Sequence, residues 1–134
     1  VTNGRTFMWS PAFWTPYRNQ PAWGNESHKA NFNHFFANVN TKLIIDMQDF
    51  VGQSKGASTK EDAVTWAMYL KQNWPTKLTD VQMNVEQFKI DATGALVPAD
   101  MNEIMQRTQY YQKQGLANGP SWEIRYWHKR LYGN

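Results

Sequence analysis

The first 25 residues, VTNGRTFMWSPAFWTPYRNQPAWGN, combine a dense set of aromatic side chains with three prolines. The prolines stand at positions 11, 16 and 21. Each one fixes its backbone and removes a hydrogen-bond donor, so no long helix can pass through this stretch. Exposed aromatic surface of this extent promotes aggregation unless another surface covers it. We therefore expect residues 1–25 to form an extended arm that packs on its own domain, on another copy or on a ligand.

Most of the remaining chain carries apolar residues at steps of three and four, which is the spacing of one helix face. A long first helix is predicted from Asn25 or Ser27 to Gly52. Its apolar face would contain Phe32, Phe35, Phe36, Val39, Leu43, Met47 and Phe50. A single helix of this length suggests a helical domain.

Further helix signals follow the loop at residues 53–58. Ser58 and Glu61 can form a capping box at the start of a second helix, which Pro75 ends. Thr79 opens a weaker capping box, and Pro98 suits the first turn of a helix that runs to Gly115. Residues 91–94, Asp-Ala-Thr-Gly, are predicted to form a turn.

Two segments fit either a helix or a strand. In residues 81–90, Val81, Met83 and Val85 alternate like a strand, whereas Val81, Val85 and Phe88 suit a helix. Residues 122–131 are ambiguous in the same way. We favour a helix for both, and short connections between helices favour antiparallel neighbours. The predicted fold is therefore all-α, a four- to five-helix bundle over residues 26–134 preceded by the extended arm at 1–25.

Catalytic chemistry has few candidates. The three histidines are His28, His34 and His128, and neither an H-E-x-x-H motif nor a paired acidic cluster accompanies them. The chain has no cysteine, no G-x-S-x-G and no glycine-rich phosphate loop. We therefore expect no enzyme, no metal and no cofactor. The alternative is a small basic nuclease-type effector that uses the three histidines, and a second alternative is a surface module that binds partners through its aromatic residues.

Charge is concentrated at the two ends of the sequence. The whole chain has a net charge of +3, and residues 1–25 carry two arginines without an acid. Residues 107–134 carry five basic residues against Glu123 alone. Such a distribution permits a polyanionic partner. Neutral Asn, Gln, Ser and Thr side chains in the arm can also hold a nucleic-acid backbone without reading bases.

The chain resembles the major coat proteins of filamentous archaeal viruses of the rudivirus and lipothrixvirus type. The resemblance lies in Gly4-Arg5-Thr6, in the run Trp9-Ser10-Pro11-Ala12-Phe13-Trp14, and in the predicted bundle that follows. Coat proteins of that family pair as homodimers or heterodimers and wrap linear double-stranded DNA, held in the A form, inside a helical filament. The resemblance implies a structural protein of the virion, assembled in the host cytoplasm.

The same resemblance implies partners and site residues. The partners would be double-stranded DNA, contacted through its backbone, copies of the chain, a second paralogous coat protein and, in enveloped members, lipid. The implied DNA-binding residues are Arg5, Arg18, Lys29, Arg125, Lys129 and Arg130. The implied subunit-interface residues are Phe7, Trp9, Phe13, Trp14, Tyr17 and Trp23.

Overall fold

A computed structural model of the protein describes residues 7–9, 26–49, 51, 59–120 and 133. The helices in these residues are α1 (Glu26–Asn38), α2 (Lys60–Asn73) and α3 (Met101–Lys113). The strands are β1 (Phe7–Trp9), β2 (Leu43–Gln48), β3 (Leu78–Asn84), β4 (Phe88–Ile90), β5 (Leu96–Pro98) and β6 (Ala117–Asn118). The elements alternate as strand and helix, with the hairpin β4–β5 inserted between β3 and α3.

Four strands form one parallel sheet in the spatial order β1-β2-β3-β6. Strands β4 and β5 pair antiparallel as a separate hairpin. One helix lies between each two successive strands of the sheet, as parallel pairing requires. All three connections step in the same direction across the sheet. Because such connections are right-handed in nearly all proteins, the helices are expected on one face of it.

The hydrophobic core occupies that face. Alternate residues of β2 and β3 point into it, namely Leu43, Ile45 and Met47 with Val81 and Met83. The helices contribute Phe32, Phe36, Ala63, Trp66, Ala67, Leu70, Ile104 and Tyr111 to the same cluster. Side chains of all three helices therefore pack on one face of the sheet, and the fold is α/β. The predicted all-α four- to five-helix bundle is wrong.

The long first helix is wrong in its second half. Helix α1 ends at Asn38, and Leu43–Gln48 is a strand between β1 and β3. Leu43, Ile45 and Met47 satisfy a period of two as well as their helical spacing to Phe36 and Phe50. Pairing with strands distant in the sequence decided between the two periods, and that pairing is not visible in a local pattern.

The helix predicted over residues 81–90 is also wrong. These residues span the end of β3 and all of β4, and Thr79 lies inside β3 instead of capping a helix. Pro98 is the last residue of β5, and α3 begins after the cap at Asp100. The alternation of Val81, Met83 and Val85 was the correct signal, because each of these side chains is buried against the helices.

Two local predictions are confirmed. A helix occupies residues 60–73, although its capping box is formed by Thr59 and Asp62, one position beyond the predicted pair. The turn at residues 91–94 joins β4 to β5, with Gly94 at a positive φ of 87°.

The expected arm lies mostly outside the described residues, as does the segment 122–131. Its described part, Phe7–Trp9, is an edge strand of the sheet that pairs with β2. The boundary between residues 1–25 and 26–134 stays a prediction.

Candidate functional site

Polar side chains collect on the second face of the sheet, towards the carboxyl ends of β2 and β3. Asp46 pairs in register with Gln82, and Gln48 pairs with Asn84. These residues alternate with the buried apolar ones, so they lie on the face away from the helices. The space beyond the carboxyl ends of parallel strands is where open α/β sheets bind ligands.

Asp46 is the first of two buried acids in this region. Its side chain belongs to a residue that is only 4% exposed, and Asn84 Nδ2 donates to Asp46 Oδ2 at 3.2 Å. Burial raises the pKa of the Asp46 carboxyl above its ordinary value, and the hydrogen bond from Asn84 opposes that rise. Asp46 therefore keeps its proton to a higher pH than an exposed aspartate does.

Gly119 makes room for the Asp46 carboxylate. The backbone N–H of Gly119 donates to Met83 O at 2.8 Å, which ties the end of β6 to β3. A Cβ added to Gly119 would lie far inside van der Waals contact with Asp46 Oδ1 and 3.4 Å from Gln82 Cβ. With Asp46 in this position, position 119 accepts no side chain.

Glu86 is the second buried acid. It follows β3 by two residues, is 2% exposed, and its Oε1 accepts a hydrogen bond of 2.5 Å from Gln48 Nε2. The neighbouring Gln87 is buried too, and its Nε2 donates to Val85 O at 2.8 Å. Four consecutive buried residues, 85–88, thus leave the sheet at its carboxyl end, with two polar side chains among them.

A buried ion pair lies beneath Glu86. Arg107 Nη1 of α3 donates to Asp49 Oδ2 at 2.7 Å, and Tyr111 OH donates to the same oxygen at 2.8 Å. Burial raises the pKa of Asp49, while the charge of Arg107 and the hydroxyl of Tyr111 act against that rise. Burial and the Asp49 carboxylate raise the pKa of Tyr111 far above its usual value, so its phenol remains a donor.

The same ion pair binds both peptide groups of Glu86. Glu86 N donates to Asp49 Oδ1 at 3.2 Å, and Arg107 Nη2 donates to Glu86 O at 2.7 Å. Asp49 N donates to Asn84 O at 3.1 Å, which joins the segments that follow β2 and β3. The backbone that carries Glu86 is therefore held by groups from two other segments.

The chemistry of this cluster is that of carboxyl groups and carboxamides. Asp46 and Glu86 supply the acids, and Gln48 and Asn84 supply the amides that bind them. The guanidinium of Arg107 is already bound to Asp49. Among the residues that the structure describes, no group of three or more His, Asp or Glu side chains could hold a metal ion. The cluster suits a neutral ligand rich in hydroxyl groups better than a phosphate.

The site residues predicted from the sequence lie elsewhere. Phe7 and Trp9 are in β1, where Phe7 is 47% exposed, and Lys29 is in α1. The candidates outside the described residues are Arg5, Arg18, Arg125, Lys129 and Arg130, together with Phe13, Trp14, Tyr17 and Trp23. The roles of all of these residues in DNA binding and assembly stay predictions.

The histidines predicted for the nuclease alternative are not part of the cluster. His34 is exposed on α1, His28 belongs to the first turn of the same helix, and His128 is outside the described residues. The sequence offered another signal, which was missed. Acids directly follow apolar runs at Ile45-Asp46 and Val85-Glu86, the places where buried strands end.

Comparison with protein-family models, with curated proteins and with solved structures finds no match to this chain. The resemblance to filamentous-virus coat proteins therefore stays a prediction. No helix among the described residues is both long and apolar enough to cross a membrane.

Proposed function

We propose that this chain carries the acid–base site of an enzyme that hydrolyses glycosidic bonds. The observation that supports the proposal is a reciprocal arrangement of two carboxyls and two carboxamides. Asn84 of β3 donates to Asp46 of β2, and Gln48 of β2 donates to Glu86 beyond β3. Both pairs lie at the carboxyl end of a parallel sheet, where this class of fold builds its active sites.

Hydrolysis of a glycosidic bond requires two carboxyl groups in different protonation states. Asp46, whose pKa is raised by burial, suits the acid that donates a proton to the leaving-group oxygen as the bond to the anomeric carbon breaks. Glu86, which accepts the amide of Gln48, suits the carboxylate that takes a proton from the attacking water. The water oxygen then bonds to the anomeric carbon, and the products are two free hydroxyl compounds.

The charge of the cluster supports a carbohydrate over a phosphate-containing ligand. Arg107 is the cation nearest to Glu86 among the groups in the described hydrogen-bond network, and Asp49 already neutralises it. A phosphate brought here would meet carboxylates without a compensating charge. Sugar hydroxyls both donate and accept, so they match carboxylate and carboxamide oxygens and amide N–H groups together.

The first experiment is a hydrolysis screen. The wild-type chain is incubated with chromogenic glycosides and with polysaccharides, and the released chromophore or reducing ends are measured against a buffer blank. The proposal expects hydrolysis of at least one glycoside, abolished in Asp46→Asn. Activity that persists in Asp46→Asn, or a screen in which no glycosidic bond is cleaved, would contradict it.

Packaging of double-stranded DNA by a virion coat is a second proposal, supported by the charge of the sequence ends. Residues 1–25 carry two arginines and no acid, and residues 107–134 carry five basic residues. Arg107 is one of these five and is bound to Asp49, which leaves four for a polyanion. If this function is correct, assembled chain should protect duplex DNA from nuclease digestion, and full digestion would contradict it.

A further inference from the structure

The ion pair of Asp49 and Arg107 is in an unusual position for a stabilising contact. Both side chains are buried, with exposed fractions of 0% and 9%. Burying two charges costs several kcal/mol of desolvation, and apolar replacements of such pairs are often equally stable or more so. Stability alone is therefore a weak reason for a charged pair at this place.

The geometry gives a more specific reason. Arg107 uses one nitrogen for Asp49 and the other for the carbonyl of Glu86, both at 2.7 Å. Asp49 closes the ring from the other side by accepting from Glu86 N at 3.2 Å. The planar, two-pronged guanidinium can serve two acceptors in fixed directions, which a lysine ammonium cannot do in the same way.

Helix α3 keeps this arrangement rigid. Arg107 and Tyr111 are four positions apart, so they lie on the same face of the helix, and both bind Asp49 Oδ2. Tyr111 is fully buried in the core cluster. Rotation of the Asp49 carboxylate would break contacts with Arg107, Tyr111 and Glu86 together.

We infer that Arg107 is a positioning residue that fixes the backbone of Glu86 and thereby aims its carboxylate. This inference rests on the proposed function, because aiming matters only if Glu86 takes part in a reaction. Arg107 itself contacts the peptide of Glu86 and not the carboxylate. Its effect on catalysis is indirect, through the angle at which Glu86 meets its substrate.

The test compares Arg107→Lys with wild type and with Glu103→Gln, a control on the exposed side of the same helix. Lysine retains a charge for Asp49 but not the two-pronged bridge to Glu86. We expect a fall in kcat of about 100-fold, the size of effect that a misplacement near 1 Å produces, with KM unchanged. The substrate is the chromogenic glycoside that wild type cleaves fastest, and Glu103→Gln should match wild type.

A second readout separates this inference from the proposed function. Hydrogen exchange of the Glu86 backbone amide, measured by NMR, reports the clamp without any substrate. In Arg107→Lys this amide should exchange faster while the core amide of Leu70 keeps its protection. The inference is overturned if the Glu86 amide keeps full protection, or if an active enzyme retains its kcat in Arg107→Lys. If wild type cleaves no glycoside yet the Glu86 amide alone loses protection, the clamp stands and the proposed function falls.

Arg107→Met provides a variant without any charge. If it folds, its Glu86 amide should lose more protection than in Arg107→Lys. If it does not fold, the lysine variant and its exchange measurement still decide the question.

Discussion

Gln48 and Glu86 are separated by 38 positions in the sequence, and their side chains meet at a distance of 2.5 Å. Asp46 and Asn84, also separated by 38 positions, meet at 3.2 Å. Each strand end thus supplies one acid and one amide, and each acid is bound by the amide of the other strand. Buried polar groups that are bound in this way keep fixed orientations, which is what an acid–base site needs.

Gly119→Ala should displace the Asp46 carboxylate, because the added Cβ would overlap Asp46 Oδ1. Overpacking of this kind costs about 1–3 kcal/mol of unfolding free energy. Urea denaturation of Gly119→Ala, Asp46→Ala and the double variant forms a cycle that isolates the contact. The cost of Gly119→Ala should shrink once Asp46 is alanine, and an equal cost in both backgrounds would refute the steric explanation.

Asp49→Asn should strongly destabilise the fold, since it leaves the guanidinium of Arg107 buried without its counter-charge. Breaking one partner of a buried pair costs about 3–5 kcal/mol. The matched control is Glu103→Gln, which removes the exposed pair of Glu103 with Lys89 and should cost less than about 1 kcal/mol. Urea denaturation of the two variants would disprove the account if their costs were alike.

The pH dependence of stability should carry opposite contributions from Asp46 and Asp91. Burial raises the pKa of Asp46 in the folded state, so the folded protein binds that proton more tightly than the unfolded chain does. Stability from this group is present below the ordinary aspartate pKa of 3.8 and is lost as pH rises through the raised value. Relative to Asp46→Asn, wild type should therefore become less stable as pH increases across this range.

Asp91 supplies the comparison. A hydrogen bond from the Thr93 hydroxyl, helped by backbone donors, lowers the pKa of Asp91 in the turn between β4 and β5. Its contribution is present above pH 3.8 and is lost as pH falls through the lowered value. Denaturation from acid to neutral pH should thus give slopes of opposite sign for the two asparagine variants, and slopes of the same sign would rule out the assignment of Asp46.

Thr59→Ala should weaken the start of α2. Thr59 Oγ1 accepts from Asp62 N at 3.1 Å, and Asp62 Oδ2 accepts from Thr59 N at 2.8 Å, so the threonine hydroxyl is half of a capping box. Loss of the cap costs about 1 kcal/mol, whereas Thr59→Ser keeps the hydroxyl and should be close to wild type. Thermal unfolding of both variants checks this, and equal losses would show that the hydroxyl is not responsible.

The sequence was informative where structure depends on neighbouring residues. The second helix and the turn at 91–94 follow from caps, from Pro75 and from Gly94, all of which act over a few positions. It was misleading at β2 and β3, where Leu43, Met47 and Val81 fit both periods. There the choice depended on parallel partners tens of residues away, and the cost and gain of such pairing appear only in the folded chain.

The candidate site was less predictable than the fold. Asp46, Glu86 and Arg107 form no known motif, and their positions in the sequence do not announce that they meet. What brings them together is the parallel sheet, which aligns the carboxyl ends of strands from distant segments. Once β2 and β3 are assigned as neighbouring parallel strands, acids at their ends become candidates at once, so the error in fold class concealed the site.

The most direct test of the central claim is the rate of glycoside hydrolysis by Glu86→Gln. Glutamine keeps the size of the side chain and removes its ability to accept a proton, and the control Glu103→Gln makes the same change at an exposed position. The account predicts that Glu86→Gln stays folded and loses activity by about 100-fold or more, the usual contribution of a positioned acid–base group, while Glu103→Gln remains as active as wild type. A folded Glu86→Gln protein with wild-type activity would contradict it.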